Sequence, residues 1–359
     1  MNTVQVSLGS RSYEILVAPG LLAEAGQHIE AAGLSGKAAI ITDSNVAPHY
    51  LDQMVSSLSN AGYETTAHIF PSGEAAKSMA QADKISRELI RAGHNRSSFV
   101  VALGGGVTGD LAGFVAAIFY RGIPFVQIPT TIVSQVDSAV GGKTGVNTPE
   151  GKNLIGAFHQ PRLVLTDPDT LFTLPGREFR EGFAEVIKHA AIRDEAMLAD
   201  LEKIDPLDQN VPAELIARNV AIKARIVEED EQETSGTRAL LNFGHTIGHG
   251  IEASVPYGAL LHGEAISLGI RAALKLSENH AGLPREASKR ILALLEHFQL
   301  PLILDPAIST ELVIEKLLRD KKFARGKRTF VLLDQPGQAL TCSNIPFEDI
   351  APAIDHLRS

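Results

Sequence analysis

Two histidines one helical turn apart suggest a metal site in the second half of the chain. His245 and His249 lie in "FGHTIGHGIE", where side chains at i and i+4 would share one face of a helix. Glu252 follows three residues later. Two imidazoles and one carboxylate are the ligands of many catalytic zinc sites, which leave a position for water or substrate. Residue 246 is threonine, so the H-E-x-x-H signature of a metalloprotease is absent.

Further candidates precede and follow this pair. Glu185 lies in the apolar span "GFAEVIKHAA" with Lys188 at i+3, which could also be a surface ion pair contributing a few tenths of a kcal/mol, about 0.2–0.5. His189 and His262 lie in or beside apolar helical patterns, where a lone histidine is usually a core residue. Several histidines beside an embedded carboxylate favour a His/Glu metal site, and the spacing alone nominates His245 with His249.

A glycine-rich turn in the first half could bind a nucleotide. Gly104, Gly106 and Gly109 in "VVALGGGVTGD" fit G-x-G-x-x-G, where backbone N–H groups and a helix N-terminus approach a pyrophosphate. The expected ribose acid some 20 residues further on is missing; the nearby acids are Asp110, Asp43 and Glu74. The turn therefore predicts either a nucleotide or phosphate site or a tight structural turn.

A second segment, "IPTTIVSQVDSAVGGKTGVNTPEGKN", reads as a long glycine-rich loop with hydroxyls and two lysines. Such a loop suits anion recognition, because lysine supplies a mobile point charge and glycine permits close approach. The alternative is a solvated surface loop. Its candidate residues are Thr130, Thr131, Asp137, Lys143, Lys152 and Asn153.

The elements that would position these residues fall into two halves. Up to residue 176, β-branched runs at 37–42, 98–103, 124–129 and 162–167 alternate with helical patterns such as 79–92. This alternation predicts an α/β domain over 1–176, Rossmann-like with a mostly parallel sheet. Over 177–359 we expect a mainly α-helical domain, with helices at 178–192, 213–230, 262–280, 286–298 and 310–320 and a strand at 329–333.

Composition argues against several other classes of protein. A net charge of −9 does not suit a nucleic-acid face, and the apolar run 111–119 is too short to span a bilayer. The first residues lack the basic and apolar regions of a signal peptide. A single cysteine rules out an internal disulfide and a cysteine-rich zinc site. We expect a cytoplasmic globular protein that binds neither nucleic acid nor membrane.

Seven separated motifs resemble those of the 3-dehydroquinate synthases, a family of sugar phosphate cyclases. They are "PSGEAAK", "GGGVTGD", "IPTTIVSQVDSAVGGKTGVN", "GKNLIGAFHQP", "EGFAEVIKHA", "RALLNFGHTIGHGIE" and "LHGEAISLG". They occur in the family's order across residues 71–269. The resemblance implies a dehydroquinate synthase-like fold, in which an NAD-binding α/β domain precedes a helical metal- and substrate-binding domain, and it implies a homodimer.

The resemblance also implies a reaction. The family converts 3-deoxy-D-arabino-heptulosonate 7-phosphate to 3-dehydroquinate and phosphate, with NAD and a divalent metal, zinc or cobalt. Oxidation at C5 acidifies the hydrogen on C6, phosphate is eliminated, and the returned hydride regenerates NAD. Ring opening and an aldol step then close the carbocycle.

Residues of this chain that match the family's motifs can be grouped by role. The implied metal ligands are Glu185, His245 and His262, whereas His249 corresponds to a residue at the substrate. The implied catalytic set is Asp137, Lys143, Asn153, Lys188, Lys223, Arg238, Asn242 and His249. Further substrate or phosphate contacts are Arg121, Lys152 and one of Lys321 or Lys322. The implied NAD contacts are Asp43, Ser72, Gly73, Glu74, Lys77, Gly105, Gly106, Val107, Thr108, Gly109, Asp110, Thr130, Thr131, Lys143, Lys152, Thr170, Phe172 and Thr173.

Alternative functions on the same scaffold remain open at this point. A sister sugar phosphate cyclase would act on another sugar phosphate. A metal-dependent polyol dehydrogenase of the glycerol dehydrogenase type would accumulate NADH and have little use for so many cations. A non-catalytic metabolite-binding protein would be expected to have lost a ligand or a cation, and none is missing from the motifs.

Overall fold

The computed structural model describes residues 1–256, 258–319, 329–343 and 345–358, so Lys321 and Lys322 lie outside the described residues. The chain forms two compact units, Met1–Leu174 with Asn210–Gln232 and Pro175–Gln209 with Glu233–Ser359. A division at residue 176 assigns 210–232 to the second domain. The structure instead packs that segment with the first unit.

The first unit is built on a seven-stranded sheet of order β1-β2-β9-β6-β5-β3-β4. Within the described strands of this sheet, β1 and β2 pair antiparallel and the other neighbours pair parallel. The strands of this unit are β1 (Asn2–Val6), β2 (Tyr13–Val17), β3 (Ala38–Asp43), β4 (Thr65–Phe70), β5 (Phe99–Gly104), β6 (Phe125–Pro129), β7 (Lys143–Thr148), β8 (Gly151–Phe158) and β9 (Leu163–Thr166). The mostly parallel α/β sheet expected from the sequence is confirmed.

Alternating side chains of the central strands feed two separate cores. In β3 and β5, Ile40 and Val101 belong to one apolar cluster, whereas Ile41 and Val100 belong to the other. Both strands are buried along their whole length, which explains why they are continuous apolar runs in the sequence. The helices of this unit are α1 (Leu21–Ala31), α2 (Ala47–Asn60), α3 (Met79–Arg91), α4 (Gly106–Ile118) and, from later in the chain, α8 (Ala213–Glu229).

Helix α8 belongs to the first unit because its apolar face packs there. It contacts β1, β2 and a short π-helix, Ser134–Ser138. Ile216, Val220, Ala224 and Val227 recur at helical spacing on the buried face. The sequence pattern correctly predicts the helix but does not indicate which core its apolar stripe joins.

The segment expected to be a loop over 128–153 is largely ordered. After β6 it forms the π-helix and then the antiparallel hairpin β7–β8, in which Gly145 faces Gly156. A Cβ on Gly145 would lie 2.8 Å from the carbonyl oxygen of Ile155, so the two strands approach too closely there for other residues. These two glycines allow the strands of the β7–β8 hairpin to pack closely. The interpretation of the hairpin residues as part of a loop is therefore wrong.

The second unit is mainly helical, as expected. Its helices are α5 (Gly176–Glu181), α6 (Phe183–Arg193), α7 (Glu195–Leu201), α9 (His245–Glu252), α10 (His262–His280), α11 (Arg285–His297), α12 (Thr310–Arg319) and α13 (Ile350–Asp355). Strands β10 (Phe330–Gln335) and β11 (Gln338–Cys342) form a hairpin. The single helix expected over 178–192 is divided at Gly182 into α5 and α6. Within the described part of the chain, no helix is both long and apolar enough to cross a membrane.

Glycines allow α9 and α10 to pack with their backbones in contact. Gly244 caps α9 with a left-handed φ of 77°. A Cβ on Gly269 of α10 would lie 2.7 Å from the amide nitrogen of Gly248 and closer still to the carbonyl oxygen of Gly244. This close packing fixes the first residues of two helices, His245 and His262, within one unit.

A buried pair of histidines supports β4, the edge strand that leads into the loop carrying Glu74 and Lys77. The hydroxyl of Thr66 lies 2.9 Å from Nε2 of His68 and 2.7 Å from Nε2 of His94. Burial lowers the pKa of both imidazoles, that of His94 to about 4, and Lys37 and the neighbouring His68 lower the pKa of His94 further. Neutral histidines are therefore part of the folded state.

Acid is expected to destabilise the first unit through this pair. An unperturbed histidine titrates near pH 6.5, whereas the pKa of folded His94 is about 4. Between these two pH values the unfolded chain binds a proton that folded His94 does not. The stabilising contribution of neutral His94 is therefore fully present above pH 6.5 and falls as the pH drops toward 4. The effect is on the order of 3 kcal/mol. Urea unfolding of the protein and of His94→Gln should show a smaller loss of stability in the variant between pH 7.5 and 4.5. Equal pH dependence in both proteins would contradict this assignment.

Candidate functional site

The residues expected to bind a cofactor follow the carboxyl ends of the parallel strands. The strand order reverses between β3 and β5, because β4 lies on one side of β3 and the later strands lie on the other. Open α/β sheets bind ligands at such a switch point. Asp43 ends β3, and the glycine-rich turn follows β5 directly.

The turn after β5 is tied to Asp43. Thr108 donates its hydroxyl hydrogen to Oδ2 of Asp43 at 3.0 Å, and Oδ1 of the same carboxylate accepts from the backbone of Asn45 and Val46. A Cβ on Gly109 would lie 2.8 Å from the side chain of Gln127, so glycine permits α4 to pack on β6. Gly105 is the N-cap residue of α4, with an extended backbone and without a capping side chain. The start of α4 therefore has backbone N–H groups without a capping side chain, and a helix terminus of this kind suits an anion.

A buried cation lies beside this turn. Nζ of Lys77, which is 4% exposed, is 2.9 Å from Oε1 of Glu74 and 3.1 Å from Oδ2 of Asp110. Burial would lower the pKa of Lys77, but Asp110 and Glu74 reverse the shift and raise it. The structure thus brings together three of the expected cofactor residues as one charged cluster at the start of α4.

Hydroxyl groups line the neighbouring strand ends. The hydroxyl groups of Thr131 and Ser134 lie 2.9 Å apart, and Thr130 donates its backbone N–H to Gly104. On the 3-10 helix Pro168–Thr173, Oγ1 of Thr173 lies 2.6 Å from the hydroxyl of Tyr50. Of the other expected cofactor residues, Ser72 and Gly73 are exposed, Val107 is half-buried, Thr170 is buried and Phe172 is 53% exposed.

The first unit also brings together two expected catalytic residues that are far apart in sequence. Nζ of Lys223 on α8 lies 2.9 Å from Oδ1 of Asp137 and donates to the carbonyl oxygen of Asp137 at 2.6 Å. The side chain of Lys223 is 8% exposed, so burial and the two contacts with Asp137 hold its ammonium in place. The expected phosphate-binding residues Arg121 and Lys143 are exposed, Lys152 is half-buried, and Asn153 is exposed with a left-handed φ of 55°.

In the second unit, three residues from three helices converge on one point. Nε2 of His245 lies 3.3 Å, and Nε2 of His262 lies 3.2 Å, from Oε1 of Glu185. Glu185 is fully buried, and its other oxygen pairs with Nζ of Lys188, which is 1% exposed. Burial would raise the pKa of Glu185, but Lys188 and His245 hold it well below its usual value.

These three residues fit a divalent metal. Nδ1 of His245 donates to the carbonyl oxygen of Phe243 at 3.1 Å, so the lone pair of Nε2 faces the carboxylate of Glu185. Two acceptors that face each other require a proton or a cation between them. A backbone carbonyl on the far nitrogen is also the usual partner of a metal-bound histidine. The set Glu185, His245 and His262 has the ligand atoms of a catalytic zinc site within 4.8 Å of one another.

His249 belongs to a second, overlapping group. His249, Glu252 and His262 also have potential ligand atoms within 4.8 Å. His249 is exposed, and Oε2 of Glu252 lies 3.7 Å from Nδ1 of His262. Burial would lower the pKa of His262, but hydrogen bonding to Glu185 and Glu252 raises it to about 10. The spacing in the sequence pairs His245 with His249. In the structure, the buried carboxylate of Glu185 faces His245 and His262 instead.

Two further expected catalytic residues precede α9 on the 3-10 helix Thr237–Asn242. Arg238 is 2% exposed, with Nε 3.8 Å from Oε1 of Glu233, and Asn242 is half-buried at the end of the turn. His189, which the sequence also offered as a metal candidate, is fully buried in α6.

Three side chains that position the metal candidates are not part of the expected site. Oε2 of Glu181 accepts from the backbone of Gly263 at 2.6 Å, and Glu264 accepts from the backbone of Leu261 at 2.8 Å. Arg177 pairs with both oxygens of Glu264. Acidic residues in the first turn of α10 are a sequence signal for a helix N-terminus, whereas the Arg177 contact has no such signal.

Two family models match the chain. "3-dehydroquinate synthase N-terminal" matches residues 67–181, and "3-dehydroquinate synthase C-terminal" matches residues 182–323. The chain is 48% identical to a 3-dehydroquinate synthase of Pelobacter propionicus, over 92% of this chain and 93% of that protein. It is 45% identical to that of Geobacter metallireducens, over 99% of this chain and 98% of the relative.

A solved structure shares the architecture. The 2-epi-5-epi-valiolone synthase of Streptomyces hygroscopicus subsp. jinggangensis 5008, with NAD+ and Zn2+ bound, matches with a TM-score of 0.89. The two chains are 29% identical, and the match covers 98% of each.

Proposed function

Because this chain belongs to the 3-dehydroquinate synthase family, we propose that it converts 3-deoxy-D-arabino-heptulosonate 7-phosphate to 3-dehydroquinate and phosphate. The observation that carries the proposal within the structure is the convergence of His245 and His262 on Oε1 of Glu185. That arrangement would hold a metal of the kind that assists the oxidation of a secondary alcohol by NAD. The enzyme is then a phosphate-eliminating carbon-oxygen lyase.

Each unit has one group of residues suited to one cofactor. In the first unit, NAD would bind the glycine turn, with Asp43, Glu74, Lys77 and Asp110 around it. In the second unit, Glu185, His245 and His262 would hold zinc or cobalt. The related valiolone synthase carries NAD+ and Zn2+, which supports this pairing of cofactors.

The charges around Glu185 prepare it to hold a cation. A metal held by Glu185, His245 and His262 would supply Lewis acidity toward the C5 hydroxyl, and NAD held at the glycine turn would supply a hydride acceptor that is regenerated. Lys188 holds Oε2 of Glu185, which leaves Oε1 oriented toward the two imidazoles. Phe243 fixes the tautomer of His245, and Glu252 lies on the far nitrogen of His262. His249, outside the Glu185 set and exposed, is available to contact substrate.

Cations of the first unit suit the departing phosphate. Asp137 holds the ammonium of Lys223 in a fixed place, where it can stabilise negative charge on the substrate. Lys143 and Lys152, on the β7–β8 hairpin, add mobile charges for the phosphate dianion. We assign no general base for C6 to the residues described, and the substrate phosphate itself is our candidate for taking the proton. Arg121, Arg238, Asn242 and Asn153 complete the proposed substrate contacts.

The remaining expectations are proposals of the same kind. We infer that the enzyme acts on a small sugar phosphate in the cytoplasm as a homodimer, without nucleic-acid or membrane partners. Its family relatives support the substrate class, whereas the assembly rests on the resemblance alone.

The reaction can be tested by following three products at once. Purified protein is incubated with the heptulosonate phosphate, NAD+ and either Zn2+ or Co2+, while phosphate, dehydroquinate and NADH are measured. Phosphate and dehydroquinate should appear in equal amounts with no net NADH, because the hydride is returned to the carbon skeleton. A chelator should stop both products.

The alternatives give different results in the same assay. A polyol dehydrogenase would accumulate NADH from a polyol and release no phosphate from the heptulosonate. A sister cyclase would be inactive on the heptulosonate but would release phosphate from another sugar phosphate. Either result would overturn the proposed substrate.

A further inference from the structure

The side chain of Asn147, in strand β7, contacts residues on two other segments of the first unit. Its Nδ2 donates to Oε1 of Glu74 at 2.8 Å and to the carbonyl oxygen of Glu74 at 3.3 Å. Its Oδ1 accepts from the backbone N–H of Asn153 at 3.0 Å. The amide orientation is fixed by this chemistry, because a carboxylate can only accept and a backbone N–H can only donate.

The backbone of Asn147 makes a further link to the same loop. Its N–H donates to the carbonyl oxygen of Lys77 at 2.8 Å, and the residue forms an isolated parallel bridge with Ser78. Asn147 therefore holds both ends of the segment Glu74–Lys77. That segment carries two of the groups proposed to bind NAD.

The other partner of Asn147 has an uncommon backbone conformation. Asn153 has a left-handed φ of 55°, a region that few residues other than glycine occupy and that asparagine enters more readily than most. Its exposed side chain is one of the proposed substrate contacts. The hydrogen bond from its backbone to Oδ1 of Asn147 is one of the contacts that fix this conformation.

We propose that Asn147 is a positioning residue that couples NAD binding at Glu74 to the placement of substrate by Asn153. The inference rests on the proposed function, since it assumes that Glu74 contacts NAD and that Asn153 contacts the sugar phosphate. The proposal has two halves, NAD binding through Glu74 and substrate placement through Asn153, and each half uses a different atom of the Asn147 amide group. Nδ2 orients the carboxylate of Glu74, and Oδ1 holds the backbone of Asn153.

Substitutions can separate the two halves. Asn147→Asp keeps an acceptor for Asn153 but places a carboxylate against that of Glu74. Asn147→Ala removes both contacts. Thr148→Ala is the matched control, because Thr148 lies next in the same strand and its hydroxyl contacts Gly151 at 3.5 Å and the carboxylate of Glu150, neither of which is a proposed NAD or substrate contact.

Two measurements report on the two halves. The dissociation constant of NAD is measured by calorimetry without substrate, and KM for the sugar phosphate is measured by phosphate release at saturating NAD. Asn147→Asp should weaken NAD binding about tenfold at pH 8, the usual effect of losing a hydrogen bond to a charged group, and should leave KM near its original value. The loss should shrink as pH falls toward 5, where the paired carboxylates share a proton. Asn147→Ala should raise both constants about tenfold.

A double substitution tests the contact itself. In Glu74→Gln with Asn147→Asp, amide and carboxylate exchange places and their hydrogen bond can reform. The double variant should bind NAD no more weakly than Glu74→Gln alone. Additive losses would overturn the coupling through Glu74.

The remaining outcomes distinguish this inference from the proposed function. If the unaltered protein neither binds NAD nor releases phosphate, the proposed function fails and the coupling fails with it. If the unaltered protein does both, equal changes in Asn147→Asp and Asn147→Ala, or the same losses in Thr148→Ala, would show that Asn147 only stabilises the hairpin. That result would overturn the positioning role while leaving the reaction intact.

Discussion

Replacing His245 by alanine is expected to remove the metal from the protein and to lower turnover at least about a thousandfold. The imidazole provides one of three ligand atoms, of which the fully buried carboxylate of Glu185 provides another. Even the loss of an outer partner of a metal ligand typically costs about 10–100-fold in metal affinity, and a polarising metal supplies several kcal/mol to the transition state. Metal content after dialysis, measured by mass spectrometry, and phosphate release give the two results.

His249→Ala is the matched comparison, since it removes an imidazole one turn further along the same helix. This variant should keep its metal and turn over more slowly. His262 cannot discriminate between the two overlapping groups, because it belongs to both. Metal loss in His249→Ala with metal retained in His245→Ala would assign the ion to the group with Glu252 and overturn the ligand set proposed above.

Alanine at Gly269 is expected to cost more than about 3 kcal/mol of stability. Its Cβ would collide with the backbone of α9, at Gly244 and Gly248, and backbone cannot move aside as a flexible side chain can. For a domain of this size the melting temperature should fall by at least about 6 °C. Because α9 and α10 begin with His245 and His262, metal affinity should fall as well.

Gly176→Ala provides the control for this change. A Cβ there would meet only the guanidinium end of Arg180, 3.0 Å away, which can swing aside. Thermal unfolding of the two variants in the presence and absence of metal separates the effects. A melting temperature of Gly269→Ala equal to that of Gly176→Ala would contradict the account of how α9 and α10 pack.

Periodicity predicted the regular elements well where one physical signal dominated. The buried runs of β3 and β5 and the amphipathic α3, α10 and α11 lie within one or two residues of the expected ranges. The sequence does not predict the β7–β8 hairpin, because its glycines resemble those of a flexible loop but permit close contact between two strands. The sequence does not predict which unit α8 packs with, because an apolar stripe on a helix does not specify which of two cores it joins.

The candidate site likewise contains some residues that the sequence identifies and others that it does not. The glycine turn and the Glu185 cluster combine unusual residue types with helical or strand spacing, so the sequence alone can nominate them. Choosing His262 over His249 as the partner of His245 needed the resemblance, because the two candidates differ in sequence separation and not in chemistry. Contacts such as Arg177 with Glu264 join residues 87 positions apart and carry no local signal.

The first unit is made of two segments of the chain, and the segment between them belongs to the second unit. This order has a consequence for synthesis. The unit is interrupted after Leu174, and its second segment, which contains α8, is completed only at Gln232, 58 residues later. At about 5–20 residues per second, a ribosome takes about 3–12 s to make that stretch. During that time α8 is not yet available to cover the apolar surfaces of β1 and β2. We therefore expect the nascent chain to be most accessible to chaperones and proteases in this interval.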